Sequence, residues 1–254
     1  TQRKFFYPAE VIGSTSLAPY DAVFVGSGDR EHPLQSQQSY NVVNRMYMIK
    51  DFNTGNDSLS QVYPVTEQGY WPSDGATSAP ASLADCTGGT CISAPAGSPS
   101  SPTGTATGKT YDQLTLTQQG SGYYFTLGTG EKVVNAPLTT AGFVYFGTNQ
   151  PVPASTASTC TTNLGISRGY QLEPFGAHYA SVTFAGGGLP PSPVSGIVNI
   201  TNANGTTTAA PFCVGCPSPL TGGTNCAGSA LAACKPTINV PAIRHRNYWY
   251  LDNQ

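Results

Sequence analysis

One phrase occurs twice in this chain, and it restricts the fold more than any other feature. Ala22-Val23-Phe24-Val25-Gly26-Ser27-Gly28-Asp29-Arg30-Glu31 is an apolar run, a Gly-Ser-Gly turn, and then acid beside base. Tyr123-Tyr124-Phe125-Thr126-Leu127-Gly128-Thr129-Gly130-Glu131-Lys132 repeats the pattern. A shorter echo stands at Phe143-Val144-Tyr145-Phe146-Gly147-Thr148-Asn149. Recurrence of one strand-and-turn unit is how repeat architectures show themselves, and in an all-β chain it points to propeller blades.

Composition agrees with strands and argues against several functions. The 29 Gly and 21 Pro among 254 residues oppose long helices and favour short strands joined by turns. A hydrophobic fraction of 39% with 14 Tyr supplies a packed core. Charged residues are only 9%, against about 25% in ordinary soluble domains. With a net charge of -2 there is no basic footprint for nucleic acid and no polybasic membrane anchor. No stretch is apolar for long enough to form an integral membrane segment. A start at Thr1 rather than Met fits a mature or trimmed fragment.

Seven cysteines, at 86, 91, 160, 213, 216, 226 and 234, suit an oxidising compartment. The expected local closures are Cys86 with Cys91 and Cys226 with Cys234. Cys160 is expected to reach Cys213 or Cys216, which leaves one thiol over. A four-thiolate zinc site built from Cys213, Cys216, Cys226 and Cys234 is the competing reading.

Along the chain, residues 22–25 and 40–50 read as strands. Residues 52–110 lose periodicity and read as a surface insertion whose tip Cys86 and Cys91 pin. Residues 114–117 alternate and are expected to form a hairpin with 123–127 through Gly120-Ser121-Gly122. Strand signal returns at 133–134, 143–146 and 178–184, with 151–176 looser. Asn204-Gly205 is a strong turn dipeptide between strands at 197–200 and 206–208. A Cys-rich loop over 213–234 and an aromatic strand at 246–251 close the chain. At about 40–45 residues per blade, the chain without its insertion holds roughly four blades. The expected fold is therefore all-β, a modified β-propeller portion spanning 1–254.

Gly26-Ser27-Gly28 lacks the further glycines of a nucleotide loop and continues into Asp29-Arg30-Glu31-His32-Pro33. It reads as a sharp turn, with the acid–base pairs cross-linking adjacent blades. Asp51, Asn53 and Asp57 place oxygen donors at alternate positions, as a calcium loop does. The segment lacks the glycine and the distal Glu of an EF-hand, and an Asx-rich turn is the competing reading. His32, His178 and His245 stand in no recognised nucleophile or metal motif.

Taken together, these phrases resemble a family. Residues 20–34 with Arg45-Met46-Tyr47-Met48-Ile49-Lys50-Asp51 are similar to the C-terminal β-propeller domain of type IV pilus tip proteins, the PilC/PilY adhesin family. So are Gly128-Thr129-Gly130-Glu131-Lys132-Val133-Val134-Asn135-Ala136-Pro137-Leu138 and Tyr145-Phe146-Gly147-Thr148-Asn149. The series continues through Thr159-Cys160-Thr161-Thr162-Asn163-Leu164-Gly165, Arg168-Gly169-Tyr170, residues 188–194 and Tyr248-Trp249-Tyr250. The resemblance implies an exported, non-enzymatic module at the pilus tip, outer surface or periplasm of a Gram-negative bacterium. It implies work with minor pilins in pilus assembly, retraction control and adhesion to a host or abiotic surface, whose receptor the sequence does not name. Some members carry a regulatory calcium loop, of which residues 51–57 are a poor analogue, and no Arg-Gly-Asp is present. Two other classes compete: a quinoprotein-like propeller oxidoreductase, and a carbohydrate-binding module using the aromatic residues.

Overall fold

The computed structural model describes residues 3–14, 20–32, 38–51, 83–91, 109–114, 120–152, 164–201 and 205–220. Over these residues the chain is all-β with a few single 3-10 turns. The first sheet is built from β1 (Glu10–Gly13), β2 (Asp21–Gly26), β3 (Arg45–Asp51), β4 (Ala84–Asp85) and β5 (Gly122–Thr126). Its order is β1-β2-β3-β5-β4, antiparallel except for the parallel β4–β5 pair. The second sheet holds β6 (Lys132–Val133), β7 (Leu138–Thr140), β8 (Phe143–Gln150), β9 (Ile166–Leu172) and β10 (Tyr179–Phe184). Its order is β10-β9-β8, with β6 and β7 both paired to β8. A separate hairpin joins β11 (Val194–Thr201) to β12 (Thr207–Val214). Among the described residues these strands do not close into a ring.

The two sheets meet through aromatic side chains. Phe125 of β5 stacks on Tyr179 of β10, with ring centres 3.9 Å apart, and lies 6.1 Å from Phe146 of β8. Phe146 in turn stacks on Tyr170 of β9 at 4.8 Å. Alternation explains which side chains do this, since every second residue of a strand faces the same side. In β2 it buries Ala22 and Phe24, and in β3 Met46 and Met48.

Several expectations are corrected. Tyr40 and Asn41 belong to a 3-10 turn, Gln38–Asn41, and the strand begins only at Arg45. Residues 115–119, the other arm of the expected hairpin, lie outside the described residues; the neighbours of β5 are β3 and β4, and Gly120 bridges to Leu83. Gly122 is packed so tightly on Met48, at φ 129°, that only glycine fits. Within residues 83–91 the turn at Thr87, Gly88 and Thr90 is exposed, but its flanks are not. Leu83, Ala84, Cys86 and Cys91 are all buried, because β4 adds to the first sheet and carries them inward. Within the predicted loose region 151–176, residues 166–172 form a central strand of the second sheet. Cys213 lies within strand β12, one residue before its end, rather than opening a loop.

Lys50 of β3 is only 3% exposed, and its ammonium faces the rings of Tyr20 at 5.0 Å and Tyr111 at 5.5 Å. Burial lowers its pKa from 10.5 to about 8. Between those two values the unfolded chain binds the extra proton, so stability rises with pH across that window. Burial also pushes up the Tyr111, Tyr123 and Tyr170 phenols. These ionise only on unfolding, which reverses the slope above their ordinary value of 10.0. Urea unfolding as a function of pH should therefore show stability rising from about pH 8 to a maximum near 10. Lys50→Met should remove the rising limb and add about 2 kcal/mol at neutral pH.

Candidate functional site

The two copies of the repeated phrase touch each other at the join between the sheets. After β2, Ser27 N–H donates to Arg45 O at 2.9 Å, and Ser27 O accepts from Val133 N–H at 3.2 Å. Val133 belongs to β6, which follows the second copy directly. A Cβ on Gly26 would lie 2.5 Å from Val133 Cγ2, and one on Gly28 would lie 2.6 Å from Val133 O. The Gly-Ser-Gly segment thus exists for close approach of two backbones, not for a phosphate. Asn44, just before β3, completes the crossing. Its Nδ2 donates to Glu131 O at 2.8 Å, while its own carbonyl accepts from Leu127 N–H at 3.0 Å.

Glu131 is the hub of this junction and is 3% exposed. Its Oε2 accepts from Gly128 N–H at 3.0 Å, and its Oε1 from Thr148 Oγ1 at 2.5 Å and Tyr170 Oη at 2.9 Å. Arg168 Nη1 stands 3.5 Å from Oε1 and also donates to Gln150 Oε1 at 2.7 Å. The network continues outward: Gly147 N–H donates to Asn135 Oδ1 at 2.7 Å, and Asn135 Nδ2 to Pro191 O at 3.3 Å. Asn149 Nδ2 donates to Leu164 O at 3.2 Å and to Gly188 O at 2.5 Å. Residues from six separated phrases of the sequence thereby converge on one buried polar knot. Charge-assisted hydrogen bonds to both carboxylate oxygens make Glu131 an anchor for two strands and a turn.

The paired acids and bases do not bond as adjacent residues. Asp29 Oδ2 accepts from Lys4 Nζ at 2.7 Å and contacts His32 Nδ1 at 3.0 Å. Burial alone would raise its carboxyl, but the hydrogen bonds and charges of Lys4 and His32 outweigh this and hold it below the ordinary carboxylate range. Arg30 is exposed and donates to Tyr7 Oη at 3.0 Å. Lys132 is buried and donates to Gly130 O at 3.2 Å. Burial lowers its pKa, partly offset by the Asp29 charge. Only the Glu131 half of the expected cross-link joins separate strands of one sheet to the neighbouring turn.

Of the residues expected to hold calcium, Asp51 is exposed at the end of β3, opposite Asp21. Asn53 and Asp57 lie outside the described residues. A disulfide joins Cys86 to Cys91. Cys213 is bonded to Cys216, not to Cys160, and neither thiol is left for a zinc site. Gly215, at φ 74°, turns the chain back after β12 and brings the two together. Cys160, Cys226, Cys234 and His245 lie outside the described residues. His178 Nδ1 contacts Glu173 Oε2 at 2.8 Å beside a turn.

One cluster was not anticipated from the sequence. Asp29, Glu31 and His32 each offer a ligand atom, all within 4.8 Å of one another. The signal was present as Asp-Arg-Glu-His directly after a glycine turn, a spacing that matches no standard metal motif. No helix among the described residues is long and apolar enough to cross a membrane. No family profile, curated protein or solved structure matches this chain.

Proposed function

We propose that this chain is a non-enzymatic module of a type IV pilus tip protein of the PilC/PilY kind, acting with minor pilins in pilus assembly, retraction control and adhesion. A modified propeller, of which the two sheets would be part, is the fold this reading carries. The observation behind it is the convergence at Glu131. The phrases that carry the resemblance, far apart in sequence, supply one another's hydrogen bonds, and their polar groups are spent on holding strands together. Two disulfides suit an exported protein.

The docking surface on this reading is the β11–β12 hairpin. Val194, Ile197, Val198 and Ile200 are exposed, and among the described residues neither strand has a second neighbour. An open strand edge offers unpaired backbone groups to an incoming strand, with side chains on both faces for specificity. A strand of a minor pilin is the proposed occupant. Ile197→Lys combined with Ile200→Lys is expected to leave the fold intact, since both side chains already face solvent. The pair should weaken minor-pilin binding about tenfold or more, measured by surface plasmon resonance. Unchanged binding would remove the hairpin from the interface.

A further inference from the structure

We infer that strand β11 is a pairing edge for a second copy of this chain, the two β11 strands running antiparallel about a two-fold axis at Val198. This goes beyond the pilus reading and does not rest on it. The copy takes the same edge which that reading gives to a pilin strand, so the two partners exclude one another.

The hairpin ladder picks the edge. β11 and β12 pair residue for residue, from Val194 with Val214 to Thr201 with Thr207, and neither has a second neighbour among the described residues. Pro211 has no N–H, and a ladder tolerates proline only where the missing donor points away from the partner strand. In the Ile197–Pro211 pair the main-chain groups therefore face outward, and this direction alternates along each strand. The outward residues of β11 are Ser195, Ile197, Asn199 and Thr201, each with a donor and an acceptor. On β12 they are Thr207, Ala209, Pro211 and Cys213. That edge lacks a donor at Pro211, and the disulfide from Cys213 to Cys216 folds the chain back at its end. β11 is the complete edge and β12 the blocked one.

Charge and size then select the occupant. Edges that stay single are commonly guarded by charged side chains. β11 has no such guard, since residues 174–234 contain no Asp, Glu, Lys or Arg. It meets its own copy without repulsion and offers a charged partner nothing. With the axis at Val198, every outward residue is used: Ser195 pairs with Thr201 of the copy, and Ile197 with Asn199. Moving the axis to 197 or 199 would leave Thr201 or Ser195 unpaired. On the apolar side, Val198 meets Val198 on the axis, and Ile200, 44% exposed, comes opposite Gly196 of the copy. The Phe212 ring lies over Gly196, where a Cβ would be 2.7 Å from Phe212 Cε1. The isoleucine of each copy thus packs on a ring of the other, an isologous and self-complementary contact. Val194 and Val214, also exposed, extend the same apolar face.

Sedimentation of the full chain at high micromolar concentration should show a monomer–dimer equilibrium. Val198→Arg, which sets two like charges together on the axis, should weaken it about 100-fold. Asn199→Pro removes one outward donor of β11 and should weaken it about tenfold or more. Ala209→Pro, on the facing residue of the blocked edge, should leave it unchanged. Urea unfolding of each variant checks that the hairpin change has not unfolded the chain. Register is read from a cross-link: under mild oxidation Val198→Cys should give a covalent dimer. Val194→Cys, whose thiol would lie about 27 Å from its equivalent along the strand, should not. A parent chain that stays monomeric, which would leave the edge to a pilin strand, would overturn the inference. So would a dimer that survives Val198→Arg and Asn199→Pro, or one that cross-links no better through position 198 than through 194.

Discussion

Replacing Phe125 by Ala is expected to lower the stability of the chain by about 4 kcal/mol, the scale seen for buried Phe truncations. Phe125 is fully buried on β5 and is the side chain of the first sheet that the second sheet packs around. It stacks on Tyr179 and flanks Phe146 and Tyr170. Truncation removes the transferred apolar surface and also opens a cavity between two sheets whose backbones are fixed by their own ladders. The neighbouring rings are held by hydrogen bonds, Tyr170 to Glu131 and Tyr179 to Gly88 N–H, so they cannot collapse inward. Urea unfolding should show a lower midpoint with little change of slope. Phe125→Leu should cost less, about 1–2 kcal/mol, because it refills most of the volume. A loss below about 1 kcal/mol for the Ala variant would mean that the sheets do not depend on this contact.

Glu131→Ala is expected to cost a similar amount, about 4 kcal/mol, for a different reason. Four groups lose their acceptor at once: Gly128 N–H, the Thr148 and Tyr170 hydroxyls, and the Arg168 guanidinium. The Thr148 and Tyr170 hydroxyls are buried on strands and cannot turn to water. Leaving buried donors unmatched costs more than the hydrogen bonds themselves contribute. Glu131→Gln keeps the shape but sets an amide donor among donors, so an intermediate loss of about 2 kcal/mol is expected. In a double-mutant cycle, Arg168→Met should be clearly coupled to Glu131→Ala, since either single variant removes the one Arg168–Glu131 pair. Additive effects would show that the guanidinium relies on Gln150 instead.

The legible and illegible parts of the chain divide on physical grounds. Strands β2, β3, β5, β8 and β10 announced themselves because apolar, aromatic and β-branched residues alternate within them. The β11–β12 hairpin announced itself through the Asn-Gly dipeptide in the sequence between its strands. Strand β9 was hidden because Arg168, Gly169 and Gln171 break the apolar run. In the fold Gly169 faces Gly147 across the ladder, and a Cβ there would lie 2.5 Å from Phe184 Cζ. Arg168 is occupied by Glu131 and Gln150, and Gln171 donates to Tyr145 Oη at 3.3 Å. Those residues look like loop until their distant partners are known. Residues 83–91 misled in the same way, since a Gly- and Thr-rich stretch gives no hint that β4 adds to a sheet edge. The repeated phrase was visible, yet not that its two copies press on each other. That contact depends on Val133 meeting Gly26 and Gly28 across more than a hundred residues. The Cys213–Cys216 bond was lost among several permitted pairings, because spacing alone does not choose between them.

The most direct measurement is co-elution of the folded chain with the minor pilins of its own organism on size exclusion. The proposed role predicts a stable complex that the Ile197→Lys and Ile200→Lys pair disrupts. A chain that shows a cooperative unfolding transition, and is therefore folded, but elutes alone at micromolar concentration would contradict it.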